Sequence, residues 1–67
     1  MDRGFYAQME EIAFSIREAG YDPYLQIAGY VYTGDQSYIT RNHDARRKIL
    51  ELDWQLLQEY VNEMRSE

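Results

Sequence analysis

Apolar residues recur at intervals of three and four positions through the first quarter of the chain. This stripe consists of Phe5, Met9, Ile12, Ala13 and Ile16. The period matches the 3.6 residues of a helical turn, and most charged residues lie on the opposite side, so the pattern predicts an amphipathic helix over residues 5–19. Gly20 follows directly, and a glycine at this position predicts a left-handed helix end.

The next segment begins with a strong helix-start signal. Asp22 can accept hydrogen bonds from the free N–H groups of a first helical turn, and Pro23 fits the first helical position because it has no N–H to leave unpaired. The apolar stripe that follows ends near Gly34 and consists of Tyr24, Ile27, Ala28 and Val31. A second helix is one interpretation of this segment.

Residues 27–40 also fit a different structure. The runs IAGYVYT and SYIT are rich in β-branched and aromatic residues and flank a Gly-Asp turn, as in a β-hairpin. The Asp-Pro start and the marginal stability of an isolated hairpin favour the helix, but the residues alone leave both structures open. Gly29 inside a helix costs about 1 kcal/mol relative to alanine, which predicts that another part of the backbone packs closely there.

Beyond a turn at residues 34–40, where Tyr38 and Ile39 can hold the loop on a core, the pattern predicts one long helix. We expect Asn42 or Asp44 to cap it and the helix to run to about Met64. Its apolar residues form two adjacent stripes, which are Ala45, Ile49, Leu52, Leu56 and Tyr60, and then Leu50, Trp54, Leu57 and Val61. Together the stripes span about 200°. The predicted fold is therefore an all-α domain of about three helices and a short turn, with one contact surface inside the chain and one between chains.

A homodimer interface is predicted along the second stripe. The residues assigned to it are Leu50, Asp53, Trp54, Leu57 and Val61. Arg46 falls within the same arc, roughly 10 Å from Asp53 along the helix axis, which is too far for the two to pair within one chain. We expect them to pair across an antiparallel two-fold axis; the alternative is that Asp53 lies at a solvated edge.

Length and composition predict a single domain over residues 1–67. A chain of this size buries only about 60% of its unfolded surface, so oligomerisation is the expected reinforcement. Because there is no cysteine and His43 is the single histidine, we predict no disulfide, metal site or cofactor. No apolar run approaches the roughly 20 residues of a membrane span, and the first residues do not form a signal peptide. A soluble cytoplasmic protein without membrane contact is expected.

Positive charge is concentrated in one segment. The net charge is −5, but four of the seven cations, Arg41, Arg46, Arg47 and Lys48, fall within eight residues. At a helix start these side chains would attract a phosphate or a partner's carboxylate, so they are the predicted partner-binding residues. One alternative is an ordinary solvated face. Another is a small dimeric nucleic-acid-binding module that uses the same cluster, which the net negative charge disfavours.

The sequence predicts no enzyme. His43 and Asp44 resemble a base with its orienting acid, but sequence neighbours rarely adopt that geometry and no partnered nucleophile is evident. The residues GDQS at 34–37 lack the lysine of a phosphate-binding loop.

Several motifs in the centre of the chain resemble those of one known family. The runs GYDP at 20–23, QIAGY at 26–30, GD at 34–35 and DAR at 44–46 agree in register with the pattern of the IreB family, as do Tyr38, Ile39 and Arg41. This family, also called ReoM, comprises small regulatory phosphoproteins of Gram-positive bacteria. The resemblance extends from the first helix to about Tyr60 without a gap.

The resemblance implies an all-α homodimer without enzymatic activity, and it favours the helix over the hairpin. It implies a PASTA-type Ser/Thr kinase as one partner and a role in the control of peptidoglycan synthesis and β-lactam tolerance. A further implied partner is a cell-wall enzyme, or the protease machinery that turns over the enzyme of the first committed step. Arg41 and Arg46 match basic family positions and so are implied to lie on the functional surface.

The chain departs from the family pattern at three places. The family's phosphorylated threonine lies in a flexible N-terminal tail, whereas residues 1–4 contain no hydroxyl group. Gln36 and Thr40 replace prolines, and Leu50 and Trp54 replace arginines. The remaining candidate phosphorylation sites are Thr33, Ser37 and Thr40.

Overall fold

The structure, a computed structural model, describes residues 3–65 and is built from helices connected by short turns. The four α-helices are α1 (Arg3–Glu18), α2 (Pro23–Thr33), α3 (Ala45–Leu50) and α4 (Trp54–Arg65), and two 3-10 turns span Gln36–Tyr38 and Asn42–Asp44. The predicted all-α class is confirmed, but residues 3–65 form four α-helices because the predicted C-terminal helix is divided in two.

Helix α1 ends where the sequence predicted. Gly20 has φ +90°, and its N–H donates to Arg17 O over 2.9 Å. The N–H of Tyr21 donates to Ile16 O over 3.1 Å. These two bonds form a Schellman motif, which satisfies carbonyls at the helix end and requires a left-handed residue that glycine adopts at little cost.

Of the two structures that the residues alone left open, helix α2 is the one that forms, and the β-hairpin does not. One carboxylate oxygen of Asp22 accepts hydrogen bonds from the N–H groups of Tyr24 (2.8 Å) and Leu25 (3.3 Å), and Pro23 is the first helical residue. At the other end Gly34 has φ +76° and donates to Tyr30 O over 2.7 Å. With both ends satisfied by local groups, the helix forms despite its β-branched and aromatic content.

Gly29 is the point where the loop after α2 folds back onto the helix. A Cβ atom built on Gly29 would lie 2.4 Å from Cδ1 and 2.9 Å from Cγ of Tyr38. The predicted close approach is therefore present, but the neighbour is the Tyr38 ring and not another backbone segment. A Cβ atom at this position would force the Tyr38 ring to shift.

We expect Gly29→Ala to destabilise the protein by about 1 kcal/mol, because overpacking costs about 1–3 kcal/mol and the helix preference of alanine returns about 1 kcal/mol. Urea unfolding followed by circular dichroism measures this change. In a Tyr38→Ala background the same substitution should stabilise the protein, since the ring is gone. Stabilisation in both backgrounds would show that the ring does not pack on Gly29.

The prediction of one continuous C-terminal helix is wrong. Helix α3 ends at Leu50, and the chain turns through residues 51–53 before α4 begins at Trp54. Asp53 starts the new helix, because its side chain accepts from Leu56 N–H (3.1 Å) and its carbonyl accepts from Leu57 N–H (3.1 Å). An apolar stripe continues through the break, so hydrophobic periodicity alone did not reveal it.

The predicted side-chain cap of α3 is also absent. Asp44 occupies the cap position with φ +61° and makes no capping hydrogen bond, and Asn42 Nδ2 instead donates to Ser15 O in α1 over 2.9 Å. His43 is left-handed as well, with φ +50°. Two consecutive non-glycine residues in this region store backbone strain that the surrounding contacts must hold.

The core lies between two helix pairs, with α1 packed on α3 and α2 packed on α4. Its completely buried large side chains are Met9, Ile12, Ile16, Ile27, Ile39, Ile49, Leu57 and Val61. At one end, the ring of Phe5 packs edge-on against Tyr60 with centroids 6.2 Å apart, which connects α1 to α4. Each helix therefore contributes to a single contiguous cluster.

Candidate functional site

The four predicted partner-binding cations do not share one face of α3. Taking 100° per residue, Arg46 and Lys48 lie on opposite flanks of the buried stripe formed by Ala45 and Ile49, and Arg47 points away from the core. Arg41 precedes the Asn42–Asp44 turn and is exposed. The structure thus places the four cations in four different positions.

Arg46 faces the loop between α2 and α3. Its Nε donates to Ile39 O over 2.8 Å, and its backbone N–H donates to Thr40 O over 3.1 Å. The side chain is partly buried. Arg46 therefore fixes the loop in place, a task that the sequence did not indicate.

Arg47 and Lys48 both lie near acids. Arg47 pairs with Glu51, four positions later, at 2.9 Å and approaches Asp44, three positions earlier, at 3.8 Å. Lys48 borders a groove of about 520 Å³ whose α1 wall carries Glu10 and Glu11. The exposed side of α3 therefore has mixed charge.

This groove between α1 and α3 also contains an exposed aromatic side chain. Phe14 is 55% exposed on its α1 wall, and His43 lies at the α3 side. His43 Nε2 is 2.7 Å from Glu18 Oε1. The imidazole is thus paired with an acid of another helix and not with its neighbour Asp44, and the Ser15 hydroxyl, which also lines the groove, donates to Glu11 O and not to the imidazole.

The three candidate phosphorylation sites lie in or beside the loop between α2 and α3 and take part in its hydrogen bonds. The Thr33 hydroxyl donates to Gly29 O (2.7 Å) and accepts from Asp35 N–H (3.1 Å). The Thr40 hydroxyl accepts from Asn42 N–H over 3.2 Å. Each of these two threonines is therefore part of a backbone turn.

Ser37 has a different environment. Its hydroxyl donates to Asp35 Oδ1 over 2.7 Å and its backbone N–H donates to the same oxygen over 2.9 Å. The Ser37 hydroxyl, followed by its N–H, holds the pKa of Asp35 below the ordinary value, and the charge of Arg46 acts in the same direction. The Asp35 carboxylate therefore accepts both hydrogen bonds from Ser37 and is stabilised in its charged form by them and by Arg46.

Gln26 is a further site residue, which the sequence presented only as the first residue of the QIAGY motif. Its side-chain oxygen accepts from Thr40 N–H over 2.9 Å and so ties the far end of the loop to α2. A glutamine on a predicted helix gives no signal of this role, because its partner lies 14 positions away.

Four of the five predicted homodimer residues fall into two groups, and the fifth, Asp53, caps α4. Leu50 and Trp54 are 48% and 41% exposed, and the Trp54 ring packs edge-on against Tyr30 at 5.3 Å between centroids. Leu57 and Val61 have no exposed surface and belong to the core of this chain. The assignment of Leu57 and Val61 to an interface between chains is therefore corrected, because the break before α4 turns them inward.

The expected Arg46–Asp53 pair across a two-fold axis must likewise be revised. Arg46 donates to a carbonyl of its own chain and Asp53 caps its own helix. The expectation assumed that both residues lie on one straight helix. Arg46 lies in α3, whereas Asp53 lies in the turn before α4.

Within residues 3–65, no three acidic or histidine side chains come together in a way that would hold a metal ion. In the same part of the chain, no helix is both long and apolar enough to cross a bilayer.

The fold and the candidate site define a small all-α protein with a mixed-charge surface and a tightly hydrogen-bonded loop. The sequence model of one family, described as the IreB regulatory phosphoprotein, matches residues 2–64. The chain belongs to the IreB family. A regulatory role follows from this membership.

Proposed function

We propose that this protein is a non-enzymatic regulator that acts through protein contacts in Ser/Thr-kinase-linked control of peptidoglycan synthesis and antibiotic tolerance. The family match over residues 2–64 carries this proposal. A PASTA-type kinase and a cell-wall enzyme, or its protease machinery, are the proposed partners, and the cytoplasm is the proposed location.

Arg41 is the proposed centre of the partner surface. It is exposed, and the structure gives Arg46 a loop-fixing bond and Arg47 two acidic neighbours. A guanidinium that is not committed to its own chain can form bidentate bonds with a partner's carboxylate or phosphate. The loop held by Arg46 sets the position of Arg41.

A homodimer remains part of the proposal, with Leu50 and Trp54 as its contact residues. Both present apolar surface to solvent on adjacent ends of α3 and α4. A 67-residue chain gains core from such an interface.

The charge distribution gives no support to the nucleic-acid alternative. Arg47 is paired with Glu51, and Lys48 borders the Glu10 and Glu11 wall. Binding to a duplex requires a continuous basic face along the phosphate backbone, whereas this surface alternates in sign.

Gene deletion in the host bacterium tests the proposal. We expect deletion to change β-lactam tolerance, the wild-type chain to restore it, and Arg41→Ala to fail. Arg17→Ala is the matched control, since it removes an exposed arginine from α1, and it should restore tolerance fully. An unchanged tolerance after deletion would refute the cell-wall role, and full restoration by Arg41→Ala would place the contact surface elsewhere.

A further inference from the structure

The turn segment, residues 34–40, is held onto α2 and α3 by a small set of contacts around Ser37. The Tyr38 ring covers Gly29, Gln26 accepts from the N–H of Thr40, and Arg46 donates to the carbonyl of Ile39. Together these contacts keep the turn segment packed on α2, a helix that carries no charged residue.

Ser37 is the hydroxyl residue of this segment that a kinase reaches most easily. It is exposed, and the residues two before and two after it, Asp35 and Ile39, have extended backbone (φ −93°, ψ 109° and φ −99°, ψ 129°). To present Ser37 in an extended chain, the three-residue turn between them must open and the Tyr38 ring must leave Gly29. Short turns with few backbone hydrogen bonds open at low free-energy cost.

The other Ser and Thr residues among positions 3–65 are less accessible to an enzyme. Ser15 is buried in α1 and donates to Glu11 O. Thr33 lies in the last turn of α2, where presentation would unwind the helix end, and Thr40 is partly buried with its N–H bonded to Gln26. Ser37 combines exposure with an easily opened backbone.

We propose that Ser37 is a phosphorylation site and that its phosphorylation releases the turn segment from α2. This inference rests on the proposed role as a kinase substrate and deepens it. The Ser37 Oγ forms a bond to the γ-phosphorus of ATP, the bond from that phosphorus to the β,γ-bridging oxygen breaks, ADP leaves, and the hydroxyl proton passes to the base of the kinase.

Phosphorylation removes the link between Ser37 and Asp35. The esterified oxygen has no proton to donate, so the 2.7 Å bond to Asp35 is lost. A phosphate with nearly two negative charges also repels the carboxylate, which holds the first turn of the segment through Ser37 N–H. The cap of the 3-10 turn is therefore broken.

The same phosphate competes for Arg46. The charge of Arg46 already acts on Asp35, so the guanidinium lies within electrostatic reach of this turn. Phosphate oxygens are stronger acceptors than the Ile39 carbonyl that Arg46 now binds. Transfer of Arg46 to the phosphate moves this attachment from the backbone of Ile39 to the side chain of Ser37, so the Ile39 carbonyl loses its donor and the Tyr38 ring can leave Gly29.

The test uses the full chain, ATP and the catalytic domain of a PASTA-type Ser/Thr kinase. Fragment mass spectrometry should locate one phosphate on Ser37. Ser37→Ala should lose this phosphate, whereas the control Thr33→Ala should keep it, with circular dichroism confirming that both variants are helical. In the phosphorylated chain we expect the amides of Ser37, Tyr38 and Ile39 to exchange with deuterium about fivefold faster or more, as for loss of a hydrogen bond.

A phosphate on another residue, no phosphate, or a phosphate on Ser37 with unchanged exchange at these amides would each overturn the inference. The proposed function is judged separately, because the deletion and complementation results do not depend on where the phosphate lies. A phosphate on a different residue together with altered β-lactam tolerance would retain the proposed function and refute only the role of Ser37.

Discussion

Leu57→Ala is expected to lower the free energy of unfolding by about 2–5 kcal/mol, the cost of a cavity at a fully buried leucine. Leu57 has no exposed surface in the core between the helix pairs. A chain of 67 residues has a total stability of roughly 3–10 kcal/mol. The substitution should therefore remove a large fraction of that stability, which urea unfolding followed by circular dichroism will show.

Leu50→Ala is the matched control for this substitution. It removes the same atoms from the end of α3, where the side chain is 48% exposed. Measured at a protein concentration too low for dimer formation, its cost should stay within about 0.5 kcal/mol, as for other surface changes. Equal losses at Leu50 and Leu57 would contradict the inward orientation of α4.

The same pair of variants bears on the proposed homodimer. If Leu50 lies at a contact between chains, Leu50→Ala should weaken dimerisation in sedimentation equilibrium without lowering helicity. Leu57→Ala should act on folding first, and on association only through the unfolded fraction.

Arg46→Ala is expected to cost about 1.5–3 kcal/mol, the range for a hydrogen bond to a charged group that is removed from a partly buried site. The variant leaves the Ile39 carbonyl without its donor and loosens the turn segment. Thermal unfolding measures the loss of stability, and hydrogen exchange at residues 38–40 should report the local opening.

Two controls separate charge from geometry at this position. Arg46→Lys keeps the positive charge but carries an ammonium group in place of the guanidinium. It should therefore retain only part of the stability that Arg46→Ala loses. Arg41→Ala removes an exposed arginine nearby and should change stability by no more than about 0.5 kcal/mol. A fully stable Arg46→Ala protein would refute the loop-fixing role and return Arg46 to the partner surface.

A loss of partner binding has a different meaning at Arg46 than at Arg41. A loss of partner binding in Arg46→Ala would follow from a disordered loop as well as from a lost contact. Arg41→Ala tests the partner surface directly, because no hydrogen bond that fixes the loop depends on the Arg41 side chain in the structure.

The sequence by itself determined the first helix and the signals at both ends of the second, and its resemblance to the IreB family favoured the helix over the hairpin that the residues alone left open at 27–40. Gly20, Asp22, Pro23 and Gly34 act on backbone groups within a few residues of themselves, so their effects are independent of the rest of the fold. The central motifs also identified the family that the match over residues 2–64 confirms. Local chemistry and register were sufficient for these results.

Only the tertiary structure decided how the second half of the chain is arranged. The apolar period runs through residues 51–53 without interruption, but the helix does not, because Asp53 caps the start of α4. This break turns Leu57 into the core and leaves Trp54 partly exposed. The basic cluster is divided because Arg46 finds the Ile39 carbonyl, a partner that exists only once the loop has folded back over α2. Such contacts depend on the direction of each helix in space, and a linear pattern of residues does not carry that information.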